Sequence, residues 1–235
     1  MRVLGLIPAR GGSRGIPRKN VRLLGGKPLL QHTTEAALAA RSLSRVVLST
    51  EDEEIAAIGR DCGVDVPFMR PPDLAQDDTP TLPVVLHAMR WLEHAGERYD
   101  AVCLLQATHP LRRPEHVDGC VELLERTGAD AAVTVRRVPP EYNPHWVYVA
   151  DEAGHLRLAS GAREPIPRRQ ELPLAFHREG SVYVARRDVV MDRHSLYGDC
   201  LMGYDLGSEP GVNIDDWDDW ELAERLLAER SANGG

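Results

Sequence analysis

The sequence predicts an α/β fold in which a mainly parallel sheet lies between layers of helix. Short apolar runs alternate with longer amphipathic stretches over the first 137 residues, and parallel neighbouring strands need such crossover helices. The hydrophobic share of 43% and the charged share of 27% are ordinary for a globular protein. A proline-rich stretch that follows indicates an insertion into this fold.

The apolar runs predict strands and the amphipathic stretches between them predict helices. The predicted strands are Val3–Ile7, Arg45–Ser49, Val102–Leu105 and Ala131–Val135. A further short strand is expected over Val66–Met69. The predicted helices are Pro28–Ala40, Glu53–Cys62, Pro80–Glu93 and Pro114–Arg126.

Residues 139–178 interrupt the alternation. Prolines recur there, and two short alternating runs, His145–Val149 and His155–Leu158, flank a turn-like Asp151–Gly154. We expect a β-hairpin with loops. Strands at Ser181–Ala185 and Leu201–Leu206 and a closing helix at Trp217–Arg230 follow, so residues 1–235 are expected to form a single domain with one inserted arm.

Composition excludes several classes of protein. No apolar run approaches the roughly 18 to 20 residues that span a bilayer, and the first one is too short for a signal peptide, so neither membrane insertion nor export is expected. With 28 basic and 36 acidic residues the net charge is −8, which disfavours nucleic acid as a partner. The four cysteines are scattered without metal-ligand spacing, which is typical of a cytoplasmic protein.

The segment after the first strand is the most informative one. It runs Ile-Pro-Ala-Arg-Gly-Gly-Ser-Arg-Gly-Ile-Pro-Arg-Lys-Asn over residues 7–20. Glycines let a backbone turn its N–H groups towards an anion, and arginines neutralise a polyphosphate. The segment leaves the carboxyl end of a strand, where open α/β sheets bind ligands. The alternative is a basic surface turn without a ligand. The spacing matches neither the Walker pattern nor G-x-G-x-x-G.

These residues resemble the signature of the acylneuraminate cytidylyltransferases, also called CMP-N-acetylneuraminic acid synthetases. That family commonly carries lysine where this chain has Arg14. Four later segments resemble further motifs of the family in the same order. They are Arg70–Ala75 with Asp77–Thr81, Leu104–Arg112 (Leu-Leu-Gln-Ala-Thr-His-Pro-Leu-Arg, against Leu-Gln-Pro-Thr-Ser-Pro-Leu-Arg), Arg169–Pro173 and Val212–Asp219.

The resemblance implies a three-layer, Rossmann-like nucleotidyltransferase fold and transfer of CMP from CTP to the anomeric hydroxyl of a 2-keto sugar acid. Pyrophosphate is released. Mg²⁺ is the implied cofactor. Members are typically homodimers in which the insertion of one subunit reaches over the active site of the other, so residues 139–178 are expected to be a dimerisation and acceptor-site arm.

The resemblance assigns the nucleotide to the first two motifs. Arg10 and Arg14 are expected to be catalytic through the β- and γ-phosphates. Lys19 is a weaker candidate because it is as easily a solvent-exposed residue. Arg70 is expected to reach the base or phosphates, or else simply to pair with Asp73. The full nucleotide-binding set is Ala9, Arg10, Gly11, Gly12, Ser13, Arg14, Asn20, Arg70 and Thr81, of which Thr81 is equally well explained as a first-turn helix residue.

The acceptor must be recognised through a carboxylate and several hydroxyls. Gln106 follows an apolar strand, and a buried amide there needs hydrogen-bond partners that a sugar supplies. Arg168, Arg169 and Gln170 in the insertion are expected to bind the acid. The family commonly has Arg-Pro-Asn-Gly where this chain has His-Arg-Glu-Gly at 177–180, so His177 is either a sugar contact or a surface histidine.

The acidic segment departs from the family pattern, which is Asp-x-Asp where this chain has Asn213 and Asp215. In extended backbone these two side chains point the same way and can share one Mg²⁺. Asp215 is expected to be a catalytic metal ligand and Asn213 a second one. The alternative is that Asp215 or Asp216 caps the last helix; both roles can hold together.

Three other functions remain open at this point. The first is a cytidylyltransferase for another keto acid, such as legionaminate, pseudaminate or 3-deoxy-octulosonate. The second is a sugar-1-phosphate nucleotidyltransferase, disfavoured because no G-x-G-T-R-like loop is present. The third is a nucleotide-sensing module that has lost catalysis, which only Asn213 favours.

Overall fold

A six-stranded sheet forms the centre of the molecule, in a computed structural model that describes residues 1–13 and 15–233. Its spatial order is β10-β6-β9-β5-β1-β4, and two short hairpins, β2-β3 and β7-β8, lie outside it. The strands are β1 Val3–Pro8, β2 Leu23–Leu24, β3 Lys27–Pro28, β4 Arg45–Ser49, β5 Ala101–Leu104, β6 Ala131–Arg137, β7 Tyr148–Ala150, β8 Leu156–Leu158, β9 Phe176–Arg186 and β10 Leu201–Asp205.

Helices cover both faces of this sheet. They are α1 Leu29–Ala39, α2 Glu53–Asp61, α3 Thr81–His94, α4 Pro114–Thr127, α5 Arg187–Met191 and α6 Trp217–Asn233. Short 3₁₀ turns occupy Lys19–Val21, Pro72–Ala75, Pro140–Tyr142 and Arg169–Glu171. No helix in the described ranges is long and apolar enough to cross a membrane.

Alternating residues of the strands belong to two hydrophobic cores, one on each face of the sheet. The fold therefore has three layers, with the sheet between two layers of helices. Ile7 of β1 lies in one core cluster with residues of α1, α2 and α4, among them Ile55 and Leu124. Leu6 of the same strand faces α3 and packs with residues such as Met89. Side chains alternate across a strand, so one apolar run supplies both cores. The predicted α/β fold is confirmed.

Pairing within the sheet is parallel except at β9. β1 pairs in parallel with β4 and β5, and β6 with β10, whereas β9 runs antiparallel between β5 and β6. The carboxyl ends of β1, β4, β5 and β6 therefore meet at one edge, beside the amino end of β9. This edge is where a doubly wound sheet places its ligand.

A third apolar cluster attaches the last helix to this edge. Ile16 and Leu24 from the N-terminal region pack with Ile214 and with Trp220 of α6. The cluster brings the two ends of the chain together, because the segment before α6 must cross the sheet edge to reach it.

The inserted arm contains the predicted hairpin, β7-β8, whose turn is held by Asp151 accepting the N–H groups of Ala153 and His155.

Two predicted segments differ from the observed structure. Strand β9 begins at Phe176, inside the predicted insertion, because residues 176–178 pair with the end of β6. Residues 66–69 form no strand; the contact with β4 is a single bridge between Val47 and Asp65.

Candidate active site

A cleft of about 350 Å³ opens at the carboxyl ends of β1 and β5. It is lined by residues from the glycine turn, the loop before α3, the loop after β5 and the segment before α6. The predicted site residues among them are Arg10, Gly12, Ser13, Asn20, Arg70, Thr81, Gln106, Asn213 and Asp215. Arg14 lies outside the described residues.

The backbone of the glycine turn is held by side chains behind it. Gly11 donates its N–H to the carboxylate of Glu51 at 2.7 Å, and Asn20 donates its side-chain amide to the carbonyl of Arg10 at 2.9 Å. A methyl group on Gly11 would lie 2.4 Å from the carboxylate of Asp52, so a larger residue there would have to displace that carboxylate. These contacts fix the path of residues 10–12, and Gly12 and Ser13 line the cleft.

The Arg10 guanidinium crosses the cleft to the loop before α3. It donates to the carbonyls of Gly12 at 3.0 Å and Gln76 at 2.7 Å, and it lies 3.0 Å from the carboxylate of Asp77. The cation is thus held between two walls of the cleft. A bound polyphosphate would compete with Asp77 for it.

Arg70 is buried and faces the same turn. It donates to the carbonyl of Ala9 at 3.3 Å and to Glu51 at 2.7 Å, so its ionic partner is Glu51 and not Asp73, which the alternative from the sequence expected. Its Nε is buried without a partner among the described residues. Buried N–H groups are almost always hydrogen-bonded, so this orphan donor is what a ligand acceptor would satisfy.

Glu51 is the main residue that the sequence analysis missed. One carboxylate holds both the Gly11 N–H and the Arg70 guanidinium. The only sequence signal for it was its position two residues beyond β4, at the edge where the parallel strands end.

Lys19 ties the turn to the far end of the chain. Its ammonium donates to the carbonyl of Ile214 at 2.5 Å and lies 3.9 Å from Asp215. Burial lowers the pKa of this ammonium, and the nearby Asp215 opposes the shift. The alternative of a solvent-exposed Lys19 is therefore wrong. Gly15 packs directly on the same segment, since a methyl group there would lie 1.9 Å from the Asp215 carbonyl oxygen.

The acidic segment caps the last helix, as one of the two interpretations expects. Asp216 accepts the N–H of Asp219 at 3.0 Å, and Asp219 accepts the N–H of Asp215 at 2.9 Å, which caps α6. The Asp215 side chain is left 72% exposed and lines the cleft. Asn213 donates its amide to this carboxylate at 2.6 Å, so the two side chains do point the same way.

Asn213 and Asp215 fit a magnesium ion only in part. No group of three or more histidine, cysteine or acidic residues suited to a metal occurs in the described part of the chain. The protein thus offers two oxygen donors on one side. Mg²⁺ commonly takes one or two protein oxygens and completes its shell with phosphate oxygens and water, so the donor set suits a metal that arrives with a polyphosphate.

A match to a sequence profile identifies the family of this chain. Residues 4–198 match the sequence profile of the family described as Cytidylyltransferase. The chain belongs to this family. It is thus a nucleotidyltransferase, and its fold agrees: a solved structure of CMP:2-keto-3-deoxy-manno-octonic acid synthetase complexed with CTP superposes with a TM-score of 0.75 at 20% identity, covering 98% of this chain and 100% of that one.

Several curated proteins resemble this cytidylyltransferase along its length. CMP-N,N'-diacetyllegionaminic acid synthase of Legionella pneumophila is 34% identical over 97% of both chains. Pseudaminic acid cytidylyltransferase of Campylobacter jejuni is 30% identical over 96% of both. N-acylneuraminate cytidylyltransferase of Escherichia coli is 29% identical, but this chain spans only 51% of it.

Two predicted substrate residues of this cytidylyltransferase share a different cavity. Arg169 and Gln170 line a cavity of about 530 Å³ between the arm and the end of β6. Arg168 pairs with Glu171 on the arm surface. His177 is exposed in β9 and pairs with Arg136 in the strand register. Among these four only the two cavity residues share a concave surface, and none of the four lines the cleft.

Gln106 and Thr81 do line the cleft, each from the end of an element. Gln106 lies two residues beyond β5, and its carbonyl accepts a hydrogen bond from the buried Arg112. Thr81 is the first residue of α3, as the first-turn alternative predicts, and it also lines the cleft. The two residues belong to different elements and line one cleft, so one ligand can meet both.

Proposed function

We propose that this cytidylyltransferase transfers CMP from CTP to the anomeric hydroxyl of a nonulosonic 2-keto sugar acid and releases pyrophosphate. The observation that carries the proposal is the single cleft that joins Arg10 and the glycine turn to Gln106 and Asp215. The cations suit a triphosphate, and the opposite wall suits a hydroxyl-rich acid. The relatives of equal length support the acceptor class, since their names give legionaminic and pseudaminic acids.

In this reaction the sugar hydroxyl oxygen attacks the α-phosphorus and loses its proton. The bond from that phosphorus to the bridging oxygen breaks, and pyrophosphate leaves on the opposite side. Arg10 and the turn at residues 11–13 would bind the β- and γ-phosphates and offset the charge that develops on the leaving group. Arg14 is assigned the same role from the sequence alone.

The nucleoside would lie towards α3. Thr81 presents a hydroxyl that can both donate and accept, which suits the edge of a cytosine base. Arg70 offers its unpartnered Nε to a ligand oxygen. Asn20 holds the Arg10 carbonyl and so orders the turn rather than contacting the nucleotide through its amide nitrogen.

Asp215, with Asn213 beside it, would hold Mg²⁺ against the triphosphate. The metal would supply positive charge to the phosphate oxygens in the transition state. Asn213 keeps an oxygen ligand but carries no charge, so the affinity for the metal is expected to be lower than that of a pair of aspartates.

The four cysteines are free thiols, which fits our assignment of the reaction to the cytoplasm.

The arm would act on a second copy of the chain. Arg169 and Gln170 lie outside the cleft of their own subunit, and the arm exposes a set of large apolar residues that an isolated domain would bury. These residues are Tyr142, Tyr148, Val149, Leu156, Leu174 and Phe176. A homodimer in which each arm covers the partner's cleft would account for both facts.

Pyrophosphate release tests the function directly. With CTP and Mg²⁺, we expect release only when the correct keto acid is added from a panel of neuraminate, legionaminate, pseudaminate and 3-deoxy-octulosonate. A nonulosonic acid should be active because the relatives of equal length are named for such acids. Turnover with 3-deoxy-octulosonate alone would overturn the nonulosonic assignment, and turnover with none of the four would overturn the proposed acceptor class.

Asp215→Ala should lower kcat by about 100-fold or more, because charge stabilisation at a transferred phosphoryl group contributes several kcal/mol. Asp218→Ala is the matched control, since Asp218 is exposed in the same acidic segment but does not line the cleft. It should keep its activity within about twofold. Asn213→Asp should reduce the Mg²⁺ concentration needed for half-maximal rate. Full activity of Asp215→Ala at ordinary Mg²⁺ would show that the metal assignment is wrong.

Differently tagged Arg169→Ala and Asp215→Ala chains, expressed together and purified as a mixed dimer, should recover about half of the parent activity, because one of two symmetric sites is then intact. Each variant alone should be nearly inactive. A mixed dimer of two Asp215→Ala chains is the control. An inactive Arg169→Ala/Asp215→Ala dimer, or a chain that remains monomeric, would refute the arrangement in trans.

A further inference from the structure

Two departures from the family motifs meet in space. His109 stands where the resembling motif has serine, and Glu179 stands where the later motif has asparagine. The His109 Nε2 lies 3.2 Å from the Glu179 carbonyl oxygen. The Glu179 carboxylate turns back onto Ser181 and accepts its N–H at 2.9 Å and its hydroxyl at 2.5 Å. Both residues are thus fixed at one place beside the cleft.

The partners of the His109 ring define where its proton lies. A carbonyl oxygen can only accept, so Nε2 carries the hydrogen in its contact with Glu179. Burial, together with the nearby Arg112 guanidinium, lowers the pKa of His109 to about 4, although Glu179 opposes the shift. The imidazole is therefore neutral at neutral pH, and its Nδ1 has a lone pair and no hydrogen.

That lone pair faces the hydroxyl of Thr108. The Thr108 Oγ1 lies 3.3 Å from the His109 Nδ1. Because Nδ1 can only accept, the hydroxyl must donate its proton to the ring. The threonine oxygen is then left with acceptor capacity only. The hydroxyl of an ordinary threonine can rotate to donate or to accept a hydrogen bond, whereas the Thr108 hydroxyl can only accept from a ligand.

Thr108 lines the acceptor side of the cleft. It lies two residues after Gln106, and its carbonyl accepts the N–H of Ile214, the residue between Asn213 and Asp215. The nucleoside wall, with Thr81 and Arg70, is formed by other segments. A ligand group that meets the Thr108 hydroxyl therefore belongs to the molecule that approaches Asp215 from the acceptor side.

We propose that Thr108 binds the sugar acid as a hydrogen-bond acceptor and thereby selects a free hydroxyl at that position, with His109 as the positioning residue that orients it. The inference rests on the proposed function. It gives a chemical preference: a sugar acid whose contacting hydroxyl is deoxygenated or acylated has no proton to donate. Such an analogue would also leave the threonine oxygen unsatisfied.

The test compares KM for the sugar acid with KM for CTP. Thr108→Val, which keeps the shape but loses the oxygen, should raise KM for the sugar acid by about 3- to 10-fold, the loss of one neutral hydrogen bond. KM for CTP should stay within about twofold, since no proposed nucleotide contact is removed. Thr108→Ser keeps the hydroxyl and should behave like the parent.

His109 is tested with two substitutions of similar size. Leucine has no acceptor, so His109→Leu frees the threonine proton and should raise KM for the sugar acid in the same direction as Thr108→Val. Asparagine places an oxygen near the former Nδ1, so His109→Asn should stay close to the parent. The double variant Thr108→Val/His109→Leu should have no higher KM for the sugar acid than Thr108→Val alone, because we propose that His109 affects sugar binding through that hydroxyl.

Three outcomes would overturn the inference: an unchanged KM for the sugar acid in Thr108→Val, equal effects of His109→Leu and His109→Asn, or strictly additive effects in the double variant. A purely structural role would instead lower the melting temperature and raise both KM values together. These results all require an active parent enzyme. Absence of activity in the parent with every acid would count against the proposed function itself.

Discussion

The contact between the glycine turn and the segment before α6 is the constraint on which the cleft depends. Lys19 and Ile214 are 195 residues apart in the chain, yet the lysine ammonium is buried on the isoleucine carbonyl. Burying an ammonium costs free energy unless hydrogen bonds and an opposite charge compensate, and Asp215 supplies that charge. Gly15 allows the two backbones to touch. Without this contact the glycine turn and the Asn213–Asp215 pair, which we propose bind the phosphates and the metal, would have no fixed distance between them.

The rest of the architecture supports this contact from behind. Parallel β1 and β5 end at one edge of the sheet and place the turn and Gln106 side by side. Ile16, Ile214 and Trp220 share an apolar cluster beneath the turn, so α6 is anchored where its N-terminal segment must reach the cleft. Glu51 connects the turn to Arg70. The βαβ units of the sheet thus bring the N-terminal glycine turn and the segment before α6 together at one cleft.

The sequence predicted the features that local patterns determine, namely most strands and helices and the glycine turn. It missed features that depend on contacts between segments distant in the chain. Periodicity located the strands and helices on both sides of the core, and the motif of residues 7–20 located the turn. Glu51 belongs to no motif that the sequence analysis identified. It reaches Gly11 only because β4 ends beside β1. Residues 66–69 have strand-like composition, but they form no strand, and the isolated β-bridge beside them joins Val47 to Asp65. Arg169 and Gln170, predicted acceptor residues of the arm, line a cavity away from the cleft of their own chain, and periodicity within one chain does not predict such a location.

Calorimetric titration of CTP with Mg²⁺ into the parent protein and into Gly15→Ala is the most direct test that the turn and the acidic segment together bind the triphosphate. The parent should bind CTP with measurable heat. Gly15→Ala should remain folded but bind at least about 10-fold more weakly, because its methyl group would separate the two backbones, a strain of about 1–3 kcal/mol. Equal affinity in the two proteins, or no heat from the parent, would contradict the account.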